Sequence, residues 1–201
     1  MSIASCLRPS LALSTFLLIV AGTVPGHAAK LIFEKNCTSG QASAAEAAFK
    51  AVMPIVKNAD SALAKMSAKD VSALYKTWFG QPSDARLGTV KQTIGDLSTL
   101  LHTTQKLTVE CQPPRCTGGE FARTAYQNDY IALCKGFFEA PLRGEDSQVG
   151  TLLHELTHLV ANTNDYTYGR EDARKRADGN PNDAVVNADS YEYFMEDLSK
   201  K

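Results

Sequence analysis

Five residues, His154-Glu155-Leu156-Thr157-His158, constrain this chain more than any other stretch. On a helix, side chains four apart lie on one face, so the two imidazoles of an H-E-x-x-H segment can reach a single ion. Glu155 then falls beside that ion rather than on it, where a carboxylate can take a proton from water. Leu152, Leu153, Leu156, Leu159 and Val160 flank the motif and predict a mostly buried helix, a rigid platform for ligands. The same letters also fit a plain core helix with two satisfied histidines, so the surrounding residues have to decide.

Two histidines leave a hydrolytic zinc site one protein ligand short, since such sites use three and keep a fourth position open. The metzincin continuation H-x-x-G-x-x-H is excluded, because Ala161 and Asn164 stand at its Gly and His positions. A gluzincin-like site would take Glu192 from a later helix. The nearer candidate is Asp165, seven residues after His158. The run Asn162-Thr163-Asn164 predicts a helix end and a turn back, which would bring Asp165 toward the imidazoles.

At these residues the chain resembles the aspzincins, the family of deuterolysin and the peptidyl-Lys metalloendopeptidases. Their pattern is H-E-x-x-H followed by G-T-x-D-x-x-Y-G. Here Thr163, Asp165, Tyr168 and Gly169 are in place and Asn162 replaces the first Gly. Asn tolerates the left-handed backbone that a Gly would supply. The resemblance implies that His154, His158 and Asp165 bind one zinc ion, that Glu155 is the general base, and that Tyr168 donates its hydroxyl to the developing oxyanion. The segment Asn187-Ala188-Asp189-Ser190-Tyr191-Glu192-Tyr193-Phe194 resembles the Lys-specific branch, which implies that Asp189 and Glu192 accept the lysine that follows the cleaved bond. Read without the family, the two are carboxylates three apart on one helix face, where they repel unless a cation lies near.

Residues 1–29 read as a signal peptide: Arg8, the apolar run LALSTFLLIVAG, too short to span a bilayer, and small residues at Gly26, Ala28 and Ala29. This predicts a secreted or periplasmic protein with no membrane segment after cleavage. Residues 30–201 are then a single domain. Without Arg8, 20 basic residues face 22 acidic ones, a net charge of −2, which argues against nucleic acid as a partner. From Glu139 onward 13 acidic residues face 7 basic ones, a balance that suits a divalent metal and a cationic substrate. Cys37, Cys111, Cys116 and Cys134 are an even set in an exported chain and suggest two disulfides, with three pairings open. A Cys₄ zinc site would want a C-x₂-C pair, which is missing. The family resemblance implies Cys37–Cys111 and Cys116–Cys134.

The N-terminal half predicts helices: one from about Gln41 to Met66, kinked or divided at Pro54, one opened by Ser67-Ala68-Lys69-Asp70 and stopped at Gly80, and one capped by Ser83 and running to about His102. The segment YKTWFG, from Tyr75, also resembles an aspzincin feature; by itself it reads as aromatic core. From Lys106 to Phe138 the period changes to two, which predicts a small antiparallel sheet of two to four strands. Its exposed edge could align an extended peptide. Asp146 or Ser147 caps the H-E-x-x-H helix. REDARKRADGNPND, from Arg170, reads as a solvated loop or frayed helix, and a last helix runs from Ala184 to about Leu198. The fold class is α+β, mainly helical and zincin-like. The expected function is a secreted, monomeric zinc endopeptidase that cleaves proteins or peptides on the N-terminal side of lysine. The alternatives are a broad-specificity deuterolysin-like or gluzincin-like protease, and a non-catalytic secreted binding module on the same fold.

Overall fold

The computed structural model describes residues 28–103 and 105–200. The expected leader, apart from Ala28 and Ala29, lies outside that range. The chain is mainly helical. The long helix α1 (Ser39–Ala64) opens with a capping box in which Thr38 Oγ1 accepts from Gln41 N–H and the Gln41 side chain accepts from Thr38 N–H. Pro54 does not divide it. The apolar face of Val52, Ile55, Val56 and Ala59 is fully packed on both sides of the proline, and that burial outweighs the one backbone bond it removes.

Helix α2 (Ala73–Phe79) starts later than the sequence pattern suggests. Ser67 and Asp70 close a tight backbone turn instead of capping, and Ser72 accepts from Tyr75 N–H in their place. Gly80 ends the helix at φ 72°, and a side chain there would run into the Ala177 carbonyl. Ser83 caps α3 (Asp84–Leu101), which buries Leu87, Val90, Ile94, Leu97 and Leu101.

The sheet departs from the antiparallel expectation. Its order is β1 (Lys30–Phe33), β2 (Lys106–Cys111), β4 (Tyr130–Leu133), β3 (Ala122–Thr124). The β1–β2 and β2–β4 pairs are parallel, and only β3–β4 is antiparallel. The β1–β2 crossover holds α1, α2 and α3, and parallel neighbours need such long connections. The strand Lys30–Phe33 was missed because four residues beside a leader carry little pattern. Strand β3 forms one edge.

A short helix, α4 (Lys135–Glu139), leads to α5 (Gln148–Ala161), the H-E-x-x-H helix, capped by Ser147. Of the two readings of the polar stretch after Gly169, loop or frayed helix, the structure has the helix, α6 (Arg170–Gly179), which buries Ala173 and Ala177, four apart. The expected last helix, from Ala184, starts only at Ala188 as α8 (Ala188–Ser199), and a single turn, α7 (Pro181–Ala184), precedes it. Asn187, at the break, uses its side chain to bond Ser190 Oγ and to accept from Thr167 N–H. The aromatic residues of α2 fasten α8: Phe79 packs on Tyr191 and Phe194 at 5.0 and 5.3 Å between ring centres, and Trp78 on Tyr193 at 5.1 Å. No helix among the described residues is long and apolar enough to cross a membrane.

Cys37–Cys111 and Cys116–Cys134 are bonded, closing separations of 74 and 18 residues. Loop-closure entropy makes the long bridge worth roughly 4 kcal/mol and the short one roughly 3. Replacing each pair by serine and measuring denaturant unfolding without reductant should therefore show the larger loss for Cys37/Cys111.

Candidate functional site

The site is built on α5. Its pitch sets His154 and His158 on one face, and the helix stops at Asn162, whose φ of 51° and ψ of 43° put it in the left-handed region. That one residue reverses the chain. The loop after it is then stitched to the start of α8: Asn164 N–H donates to the Val186 carbonyl at 2.7 Å, and Ala188 N–H to the Asn164 carbonyl at 3.0 Å. The result folds Asp165 back over the helix. His154 Nε2, His158 Nε2 and Asp165 Oδ1 stand 3.0 Å from one another in each pairing.

The other ring nitrogens fix what those three atoms are. His158 Nδ1 lies 2.8 Å from the Thr163 carbonyl, which can only accept, so Nδ1 carries the proton. Thr163 Oγ1, 3.0 Å away, shares that N–H and is itself braced at 2.9 Å by Thr157 Oγ1. His154 Nδ1 donates to Asp189 Oδ1 at 2.7 Å. With both protons on Nδ1, both Nε2 atoms present lone pairs, and Asp165 Oδ1 presents a third. With both rings neutral, three electron-pair donors thus converge. Ligands about 2.0–2.1 Å from a tetrahedral ion stand roughly 3.3 Å apart, so the spacing fits one cation of zinc's size.

Without a cation, a proton takes its place. Burial alone would lower the His154 pKa, yet the hydrogen bonds to Asp165 and Asp189 and the charge of Glu155 push it up to about 10. Burial would raise Asp165, but bonds from both imidazoles hold it well below the usual carboxylate range. Glu155 is buried on the same helix beside the triad, and burial pushes its carboxyl up, against the pull of the two imidazoles. Tyr168 stands over His154 with rings nearly parallel, 13° apart and 6.2 Å between centres. Its ring is exposed, while partial desolvation of the hydroxyl and the neighbouring Asp165 push its pKa up to about 12, so it stays a donor at neutral pH.

Helix α8 supplies two carboxylates of unlike situation. Asp189 is 3% exposed, and its second oxygen accepts from Gly169 N–H at 2.6 Å and from Tyr193 Oη at 3.1 Å. It therefore stands behind His154 as an orienting partner, a position that a one-face reading of Asp189 and Glu192 does not convey. Glu192, also buried, reaches only 3.7 Å from His154 Nδ1, on the side of the ring away from His158. A gluzincin-like arrangement would need it on the other side. Burial first, then Asp189, push Glu192 up to about 8. Triad, Glu155, Tyr168 and both α8 carboxylates line one cleft of about 620 Å³, whose wall also includes residues 119–124 with edge strand β3. Sequence reasoning missed Thr157, Thr163 and Asn187 as the brace of the loop, and Arg170, which bonds Glu196 and Asp197 from the end of that loop.

Comparison with known proteins places the chain among relatives. A family model described as lysine-specific metallo-endopeptidase, the aspzincin family, matches residues 64–196. An extracellular protease of Aeromonas hydrophila is 35% identical over 84% of this chain and 48% of its own length. A peptidyl-Lys metalloendopeptidase of Grifola frondosa is 36% identical over 80% of this chain and 45% of its own. The chain thus spans about half the length of these two curated relatives. The solved structure of a zinc peptidase from Grifola frondosa superposes with a TM-score of 0.72 at 35% identity, covering 81% of this chain and 98% of that one. With the fold, the sequence and the family model in agreement over most of its length, the chain belongs to the aspzincin family of metallo-endopeptidases.

Proposed function

We propose that this protein is a secreted or periplasmic zinc endopeptidase that cuts peptide bonds on the N-terminal side of lysine. Residues 30–201 form one catalytic domain that acts as a monomer with one zinc ion. The observation that carries this reading is the meeting of three lone pairs, on His154, His158 and Asp165, inside a cleft that also holds a buried carboxylate and a phenol. When bound, zinc supplies Lewis-acid activation of water and of the scissile carbonyl. Glu155 takes the proton of the attacking water and returns it to the leaving amine, a task its raised affinity for protons suits. Tyr168 donates to the oxygen on which charge develops. The free edge of β3 pairs with the extended substrate backbone. Glu192 receives the lysine ammonium, and Asp189 adds negative field while it orients His154. The apolar leader and the extracellular Aeromonas relative support export.

Casein digestion with and without chelator tests the activity, and mapping the cuts on a mixed proteome tests the specificity; cuts scattered over many residue types would leave a broad deuterolysin-like protease. Glu155→Gln should lower kcat by about 10²- to 10⁴-fold while zinc content, read by atomic absorption, stays at one per chain. Asp165→Ala should lose the ion. Asp189→Asn should weaken its retention by about 10- to 100-fold, because the amide no longer fixes the His154 tautomer.

The pH dependence of binding follows from the raised His154 value. Below about pH 10 the metal-free ring is protonated, so each ion that binds displaces a proton. Apparent zinc affinity should therefore rise with pH, by roughly tenfold per unit for one proton, and fall as the solution is acidified. A competition titration with a chromophoric chelator between pH 6 and 8 reads the slope; a flat profile would mean that no proton is exchanged.

A further inference from the structure

Glycine inside a helix is destabilising by about 1 kcal/mol relative to alanine. Gly150 lies in the first turns of α5, where that helix faces α8, and so calls for a reason. A Cβ built there would overlap Glu192 Oε1 and stand 3.0 Å from Glu196 Oε1. Both are the ends of side chains, not backbone. The missing methyl therefore makes room for two carboxylates rather than for helix packing as such.

The two carboxylates are not equivalent. Glu196 is bound by Arg170, which also holds Asp197 at 3.0 Å and lies over the Tyr193 ring at 4.5 Å. That ion pair, through Oε2, holds it more firmly than anything holds Glu192. Among the described residues Glu192 comes within 4 Å of one cationic group, His154 Nδ1 at 3.7 Å, and that N–H already belongs to Asp189; Arg170 acts on it only from farther away. We propose that Gly150 is a specificity-determining position: the notch it leaves seats the Glu192 carboxylate at the cleft, and Arg170 keeps Glu196 from filling the same space. This rests on the reading that Glu192 takes the lysine ammonium. Gly150 touches no substrate; it acts through Glu192.

The test compares kcat/KM on two peptides that differ only in lysine or a neutral residue after the scissile bond. In Gly150→Ala the added methyl displaces Glu192, the nearer and less tethered of the two, and the lysine-to-neutral ratio should fall about tenfold in a variant shown by circular dichroism to be folded. Glu192→Asp keeps the charge but falls short of the notch and should lose a similar share of the ratio; it decides the matter alone if Gly150→Ala does not fold. Glu192→Gln probes the underlying reading separately. If Gln keeps the lysine preference, Glu192 is not the acceptor and the proposal falls with that reading. If Gln abolishes it while Gly150→Ala or Glu192→Asp keeps it in full, the acceptor stands and the seat is refuted.

Discussion

The proton on each Nδ1 is the small fact on which this structure turns. Because the Thr163 carbonyl and the Asp189 carboxylate claim those two N–H groups, both Nε2 lone pairs are left to face Asp165. Gathering three electron-pair donors in a half-buried place is unfavourable until a cation or a proton joins them. The chain holds them there by means spread over several elements: the pitch of α5, the left-handed Asn162, and backbone bonds that fasten the loop to the start of α8. Each is modest alone. Together they leave the donors nowhere to relax to, which is what preorganises a site of this kind.

Helix α8 serves that site twice. Asp189 holds a ring of the triad from behind, while Glu192, one turn on, lies open to the cleft. In the proposed function one rigid body would thus fix the place of an ion and the place of a substrate side chain, so that their separation would not depend on loop motion. The rigidity comes from the aromatic contacts with α2 and from Arg170, which ties the far turn of α8 to the end of the Asp165 loop. The residues that look like scaffold in YKTWFG set the distance across which the chemistry operates.

Features carried by short spacing were legible in the sequence. The four-residue interval of the histidines, the turn chemistry of Asn162, and the Ser83 and Ser147 caps are decided by neighbours along the chain. The sheet was misread because parallel pairing joins Lys30 to Lys106, a relation that no local period records. The sequence leaves α6 open between a loop and a frayed helix because only Ala173 and Ala177 turn inward, and two alanines make too faint a stripe among charges. Asp189 and Glu192 look alike three residues apart; only the fold shows that one is already engaged by an imidazole. The disulfide partners needed the family pattern, since spacing alone leaves three pairings.

The carboxylates themselves separate structure from function. Asp189, Glu196 and Asp197 on α8 each find a cation or donors within the chain. Glu155 and Glu192 are as deeply buried, yet neither accepts a hydrogen bond from the described residues, and both face the same cleft. A largely buried carboxylate whose oxygens meet only the cleft, and no donor of the fold, adds little to the fold's stability. The disulfides and the aromatic cluster supply stability in its place. Under the proposed function, two such acids in one cleft are groups whose partners arrive from solution: a water to be deprotonated at Glu155, and an ammonium to be held at Glu192.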